Sequence, residues 1–297
     1  MKEGKASWMA EVMAIHRTIE SMRPANARVC YDPYAVKFLG TRFRILAKSP
    51  SIARIVHWYF AERRIPGGYG EIVARTRYID DYMLECLADG VKQIVILGAG
   101  YDSRAYRFDG VRKGVKVFEV DHPDTQKLKI EKVKKILGGV PDHVVYVAVD
   151  LSREKLGEKL FESGYQRSLK TLFIWEGVTM YITEEAVDDT MAFVVENSGE
   201  GSSIIFDYIL KSVVDKSCEL EIANKWKEYL ARSGEQATFG IAEGELEDRL
   251  VRRGFCRIES VDDEFVRKYF TEVNRKQATL PFFRFAHATV GPPKRDS

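Results

Sequence analysis

Acidic residues close three successive apolar runs in this chain. "FEVD" ends in Asp121, "VVYVAVD" in Asp150, and "TLFIWE" in Glu176. Ahead of them "QIVIL" gives way to "GAGYDSR", where Gly98 and Gly100 follow a strand-like run. Glycine permits a sharp turn and lets a ligand approach the backbone with no Cβ in the way. An acid about 20 residues beyond such a turn can accept hydrogen bonds from ribose hydroxyls. Glu119 and Asp121 both lie at that distance. Asp150, with Leu151 beside it, can take an adenine amino proton while the leucine packs on the ring. It can equally cap a following helix, a task for which Ser152 competes. Glu176 either faces a ligand crevice or serves a structural ion pair.

The dinucleotide motif places a third glycine where this chain has Ser103, followed by Arg104 and Arg107. That glycine allows close helix–sheet packing beside a pyrophosphate, which also calls for cations and helix-terminal amides. Three strand-end acids suit a ligand bearing a sulfonium and an ammonium instead. S-adenosylmethionine is therefore favoured over NAD. For Arg104 and Arg107, pairing with nearby acids is the default.

The elements that would position these residues read as follows. Apolar runs at Gln93–Leu97, Lys116–Val120, Val144–Val149, Thr171–Trp175 and Ser203–Tyr208 suit parallel strands covered on both faces. Helical patterns separate them, among them "DTQKLKIEKVKKIL" and "TEEAVDDTMAFVVE", the latter with Thr183 as N-cap. This alternation predicts a doubly wound α/β sheet. "GELEDRLVRRGF" predicts a helix stopped at Gly254. "CRIESV" and "FRFAHATV" then follow with no regular helix between them, which predicts an antiparallel last strand, a mark of the methyltransferase version of the fold. Residues 1–90 hold helical patterns and no convincing strand. They predict an N-terminal helical cap over the C-terminal edge of the sheet, with residues 91–297 forming the cofactor-binding core of one compact unit.

Composition narrows the alternatives. A formal charge of +2 over 297 residues offers no global field for nucleic acid. No apolar run reaches the ~18–20 residues of a membrane span. The first residues show no signal-peptide core, so a cytoplasmic address is expected. Cys30, Cys86, Cys218 and Cys256 and the five histidines lack metal-ligand spacing, so no metal is expected. The basic, aromatic stretch "TRFRILAKSPSIARIVHWYFAERR" reads as an amphipathic cap helix with a solvated face. The tail "GPPKRDS" reads as disordered.

Taken in order, "ARTRYIDDYM", "ILGAGYDSRAYRF", "FEVDHP", "VDL" and "WEGVTMYIT" resemble the leucine carboxyl methyltransferase-like family of class I S-adenosylmethionine-dependent methyltransferases, whose core is Rossmann-like. The resemblance runs from about Asp32 to the last strand. It implies that Gly98 contacts the cofactor, with Gly100 in the same turn. It further implies that Asp121 binds the ribose, Asp150 and Leu151 the adenine, and Glu176 another part of the cofactor. Arg75 matches the arginine that holds the cofactor carboxylate. On a helix Arg75 shares a face with Tyr78, Ile79 and Tyr82 and should look inward; the alternative is a local pair with Glu71. Arg77 should pair at the surface with Asp80 and Asp81. A second basic contact falls on Arg17, Arg23 or Arg28, among which the sequence does not choose.

The expected reaction is O-methylation. A carboxylate acceptor is already nucleophilic and needs no base; a hydroxyl acceptor needs one, with Glu176, Tyr181 and His122 as weak candidates. The scarcity of bases leans toward a carboxylate. The acceptor itself, a small-molecule acid or hydroxyl or a protein carboxylate, is not identified, because Asp207–Ile241 matches no motif. An NAD(P)-dependent oxidoreductase and a catalytically silent nucleotide-binding regulator stand as the rival readings.

Overall fold

The structure, a computed structural model, describes residues 8–46, 65–151, 153–272, 274 and 276–291. Most of the basic cap stretch (47–64), Ser152 and the tail from 292 onward therefore lie outside the described residues. In chain order the longer elements are α1 (Trp8–Ser21), α2 (Gly68–Ala88), β1 (Gln93–Leu97), β2 (Lys116–Asp121) and α3 (Pro123–Leu137). Next come β3 (Val144–Ala148), α4 (Leu156–Glu162), β4 (Thr171–Trp175), α5 (Glu184–Glu196) and β5 (Ser203–Ile209). The series closes with α6 (Glu221–Ser233), α7 (Leu246–Arg253), β6 (Phe255–Val261) and β7 (Phe283–Val290).

Seven strands form one sheet in the order β3-β2-β1-β4-β5-β7-β6. Strands β1 to β5 are mutually parallel, and β7 runs antiparallel to both β5 and β6. The antiparallel last strand expected from the sequence is present, inserted between its neighbours rather than added at the edge. Alternation along the strands feeds two cores. Ile94, Ile96, Leu172 and Ile174 face one side with Ala74, Ile79 and Met83 of α2. Val95, Leu97, Phe173 and Trp175 face the other with residues of α4, α5 and α7. Thr183 caps α5 by accepting the Ala186 N–H, and Gly254 ends α7 in the left-handed conformation. Both follow the sequence reading.

Helix α2 departs from it. Its apolar residues pack within the core on one sheet face, so this helix is a layer of the sandwich as well as part of the cap. A third apolar cluster gathers where β5 ends and β7 begins, around Ile209 and Phe283. Met180, Trp226, Leu230, Leu280, Phe282 and Phe283 form its heart, and Met9, Ile65, Tyr181 and Tyr229 pack against it.

Candidate active site

A cavity of about 930 Å³ opens beyond the carboxyl ends of β1, β2, β3 and β4, where open α/β sheets bind ligands. Gly98, Asp121, Asp150, Leu151 and Glu176 all line it, as do Arg75, Tyr181 and His122. Topology thus brings together residues that the sequence scatters over more than 100 positions.

The glycine turn is fixed from two sides. Gly98 (φ +67°) and Gly100 (φ +41°) are both left-handed, and a Cβ on Gly98 would overlap Cγ2 of Val178 beyond β4. Asp121, the last residue of β2, accepts the Gly100 N–H at 2.6 Å and the His122 N–H at 2.7 Å. Burial pushes its carboxyl up, against the pull of those two bonds. Glu119 does not share this role. It shares the strand face of Asp121 but lies two residues short of the strand end, buried against Lys129 at 2.8 Å and taking the Tyr106 hydroxyl at 2.8 Å. Asp150 does not cap the next helix either: α4 starts six residues on, with Lys155 as its N-cap. Asp150 lies 3.7 Å from the Arg153 guanidinium.

Arginines organise the other side. Arg75 is buried and donates through Nε to Glu176 at 3.0 Å and through Nη1 to Asp207 at 2.6 Å. Glu176 and Asp207 are its ionic partners, in place of the local pair with Glu71. Among the described residues its Nη2 meets the weak acceptor Met13 Sδ, at 3.4 Å. Arg104 reaches Asp80 at 2.7 Å and Glu176 at 2.7 Å, and also pairs with Asp102. Arg107 meets the same Asp80 at 2.6 Å. Asp80 is therefore buried in this network, and Arg77 pairs at the surface with Asp81 alone. Arg17 joins Asp32 at 3.0 Å and donates to the Tyr101 carbonyl at 2.7 Å. Arg23 instead meets Glu20, and Arg28 lies over the Tyr31 ring; of the three, only Arg17 lines the cavity.

Four guanidiniums (17, 75, 104, 107) thus face five carboxylates (32, 80, 102, 176, 207). With Asp121 and Asp150 the set is anionic. Burial alone would raise the Glu176 carboxyl, but Arg104 and Arg75 outweigh it and hold it down at about 2. Sequence reasoning missed Asp207, Asp80 and Asp102. The one available signal was Asp207 itself, a lone carboxylate inside "SIIFDYI", since a charge in a buried strand needs a partner.

This arrangement tests the two cofactor readings. A pyrophosphate needs cations beside the glycine turn, yet Arg104 and Arg107 are committed to Asp80, Asp102 and Glu176. Among the described residues, each arginine lining the cavity already has a carboxylate partner. An anionic chamber with a strand-end carboxylate and a side-chain-free turn fits S-adenosylmethionine, whose sulfonium and ammonium outweigh its carboxylate.

The family model for leucine carboxyl methyltransferase matches residues 10–195. Over 218 residues the chain is 30% identical to "Putative S-adenosyl-L-methionine-dependent methyltransferase YktD" of Bacillus subtilis, covering 73% of this chain and 71% of that protein. A Streptomyces coelicolor protein of the same description is 34% identical over 145 residues, about half of each chain. Among solved structures, a "putative methyltransferase" from Thermobifida fusca superposes with a TM-score of 0.59 at 11% identity, covering 98% of this chain and 97% of that one. A DUF574 family protein from Streptomyces avermitilis gives 0.57 at 12% identity, covering 97% and 99%. At these identities the structural likeness speaks for the fold.

Proposed function

The chain belongs to the leucine carboxyl methyltransferase family of S-adenosylmethionine-dependent methyltransferases, and on that footing we propose that it methylates an oxygen acceptor, a carboxylate by preference. The observation that carries the preference is the state of the candidate bases. Both Glu176 oxygens accept guanidinium N–H groups, and a carboxyl held at about 2 is a poor proton acceptor at neutral pH. His122 caps α3, with Nδ1 facing the Asp124 N–H at 3.3 Å. Tyr181 is half-buried, and its hydroxyl is pushed well above its usual value by desolvation and then by Glu235. A carboxylate acceptor needs none of them.

Within this reading Gly98 and Gly100 admit the methionine part of the cofactor, Asp121 holds the ribose, and Asp150 with Leu151 flanks the adenine. Arg75 holds the cofactor carboxylate, and Arg17 is the second basic contact. Glu176 acts largely by fixing Arg75 and Arg104. When bound, the cofactor supplies a methyl group activated by its positive sulfur. The protein's part is to align that carbon with the acceptor oxygen and to keep water out.

Incubating the full chain with methyl-labelled S-adenosylmethionine and a small-molecule extract tests this. A carboxyl methyl ester releases volatile labelled methanol in mild base, whereas a methyl ether does not. Base-stable label would replace the carboxylate by a hydroxyl. Absence of label despite S-adenosylhomocysteine binding would favour the silent regulator.

A further inference from the structure

The cavity is larger than its strand-end half requires. At about 930 Å³ it stands at the top of the ~300–1,000 Å³ range of pockets for one drug-sized ligand. Its far half has a different chemistry from the crescent of acids and arginines. Trp226 and Tyr229 of α6, Leu280 before β7 and Phe283 at its start, and Met180 and Tyr181 after β4 supply that wall. These residues belong to the third apolar cluster. Trp226 stands edge-on to Phe283 with ring centroids 5.6 Å apart, so the wall is braced rather than loose.

We propose that this apolar half seats the body of the acceptor, a small aromatic carboxylic acid, rather than the C-terminal tail of a protein. The inference rests on the carboxyl-methylating reading and names its substrate class. A peptide tail brings one N–H and one C=O per residue, each costly to bury unpaired. Glu235, Gln236 and Thr238 give this half a polar margin, but four backbone groups of the apolar wall's own segments are already bonded. The Met180 carbonyl accepts the Thr238 N–H at 2.8 Å, and the Phe282 carbonyl accepts the Leu210 N–H at 2.9 Å. The Leu280 N–H goes to Glu71 at 3.0 Å, and the Leu280 carbonyl takes the Phe283 N–H at 3.1 Å. A planar ring system makes no such demand and gains from aromatic faces and methionine sulfur. In the transfer, the carbon–sulfur bond of the donor breaks as the carbon–oxygen bond forms. The acceptor loses its negative charge, the sulfur its positive one, and no proton moves.

The test uses the full chain loaded with S-adenosylhomocysteine, with 1-naphthoic acid and a short peptide ending in a leucine carboxylate as probes. Calorimetry should show the naphthoate binding and the peptide failing to bind. With S-adenosylmethionine the naphthoate should yield base-labile label. Tyr229→Ala should weaken naphthoate about tenfold, worth ~1.4 kcal/mol, while S-adenosylhomocysteine affinity stays within about twofold. Should that variant lose S-adenosylhomocysteine binding, Phe283→Leu takes its place with the same expectation. Peptide binding, no naphthoate binding, or naphthoate binding indifferent to both variants would each overturn the proposal. Base-labile label on extract acids without naphthoate binding would sink this inference and leave the carboxyl-methylating reading standing.

Discussion

Arg75 shows how much one side chain depends on places the sequence cannot see. Its partners Glu176 and Asp207 lie 101 and 132 positions away, so helical spacing gives its inward direction and nothing of what it meets. Removing it outright would take the arginine partner from the buried Asp207 carboxylate and leave Glu176 to Arg104, a loss of roughly 3–5 kcal/mol. Arg75→Lys keeps the charge and loses the fork. It should lower S-adenosylhomocysteine affinity at least about tenfold by calorimetry, with the circular dichroism spectrum unchanged. Asp121→Asn should do likewise, because an amide nitrogen cannot accept the N–H groups of both Gly100 and His122. Unchanged affinity in either variant removes that residue from the cofactor site. Glu71 supplies a prediction in pH. Burial raises its carboxyl to about 8, against the Leu280 N–H and Arg75, and with Asp207 and Asp263 adding to the rise. The folded state therefore holds a proton that the unfolded chain releases above its ordinary value of 4.5. Stability from this group falls as pH climbs from 4.5 to 8, by about 1 kcal/mol per unit. Glu176 has the opposite sign: its contribution is complete above 4.5 and is lost as pH drops toward 2. In urea titrations Glu71→Gln should flatten the slope between pH 5.5 and 8; a slope equal to the wild type's would refute the assignment.

Among the elements, strands were the most legible, since near-continuous apolar runs leave few alternatives. The antiparallel arrangement of β6 and β7 was legible too, because only short helical turns (Asp263–Val266 and Arg267–Tyr269) separate them in sequence. Helix α2 was not. Glu71, Arg75 and Asp80 sit on its buried side, so polarity there marks an interior network instead of a solvent face. The glycine turn was half legible: its flexibility follows from residue type, but the approach of Val178 comes from a different strand end. Two glycines separate these causes. Gly90 (φ +84°) has open space where a Cβ would go, whereas a Cβ on Gly98 would meet Val178. Gly90→Ala should cost about 1 kcal/mol in chemical denaturation, the conformational penalty alone. Gly98→Ala should cost more, and of the two it alone should lower S-adenosylhomocysteine affinity. Equal losses would assign the role of Gly98 to backbone conformation only.

For the whole molecule, the division into a cap (1–90) and a core (91–297) is best proposed as a single cooperative unit. Helix α2 packs on the sheet, and the Leu280 N–H near the other end of the chain bonds Glu71 within it. Thermal unfolding followed by tryptophan fluorescence and by far-ultraviolet circular dichroism should give coincident transitions; separated ones would make the cap a domain of its own. S-adenosylhomocysteine at ~100 times its dissociation constant should add about 3 kcal/mol, raising the midpoint by roughly 5 °C. NAD should leave it unmoved, and the reverse pattern would restore the oxidoreductase reading. Among the described residues no helix is long and apolar enough to cross a membrane.

Strand β7 carries a consequence in time as well as in space. Of the sheet's seven described strands it comes last in chain order, yet it sits between β5 and β6 and hydrogen-bonds to both. Until it leaves the ribosome, β5 has a bare edge and β6 has no partner in the sheet. Leu280 just before it and Phe283 at its start also wall the cavity. A nascent chain can assemble its β1–β4 half early, glycine turn and Asp121 included, but the far wall must wait for translation to reach the final strand. A cofactor-sized ligand can thus find a partly formed home before any acceptor can.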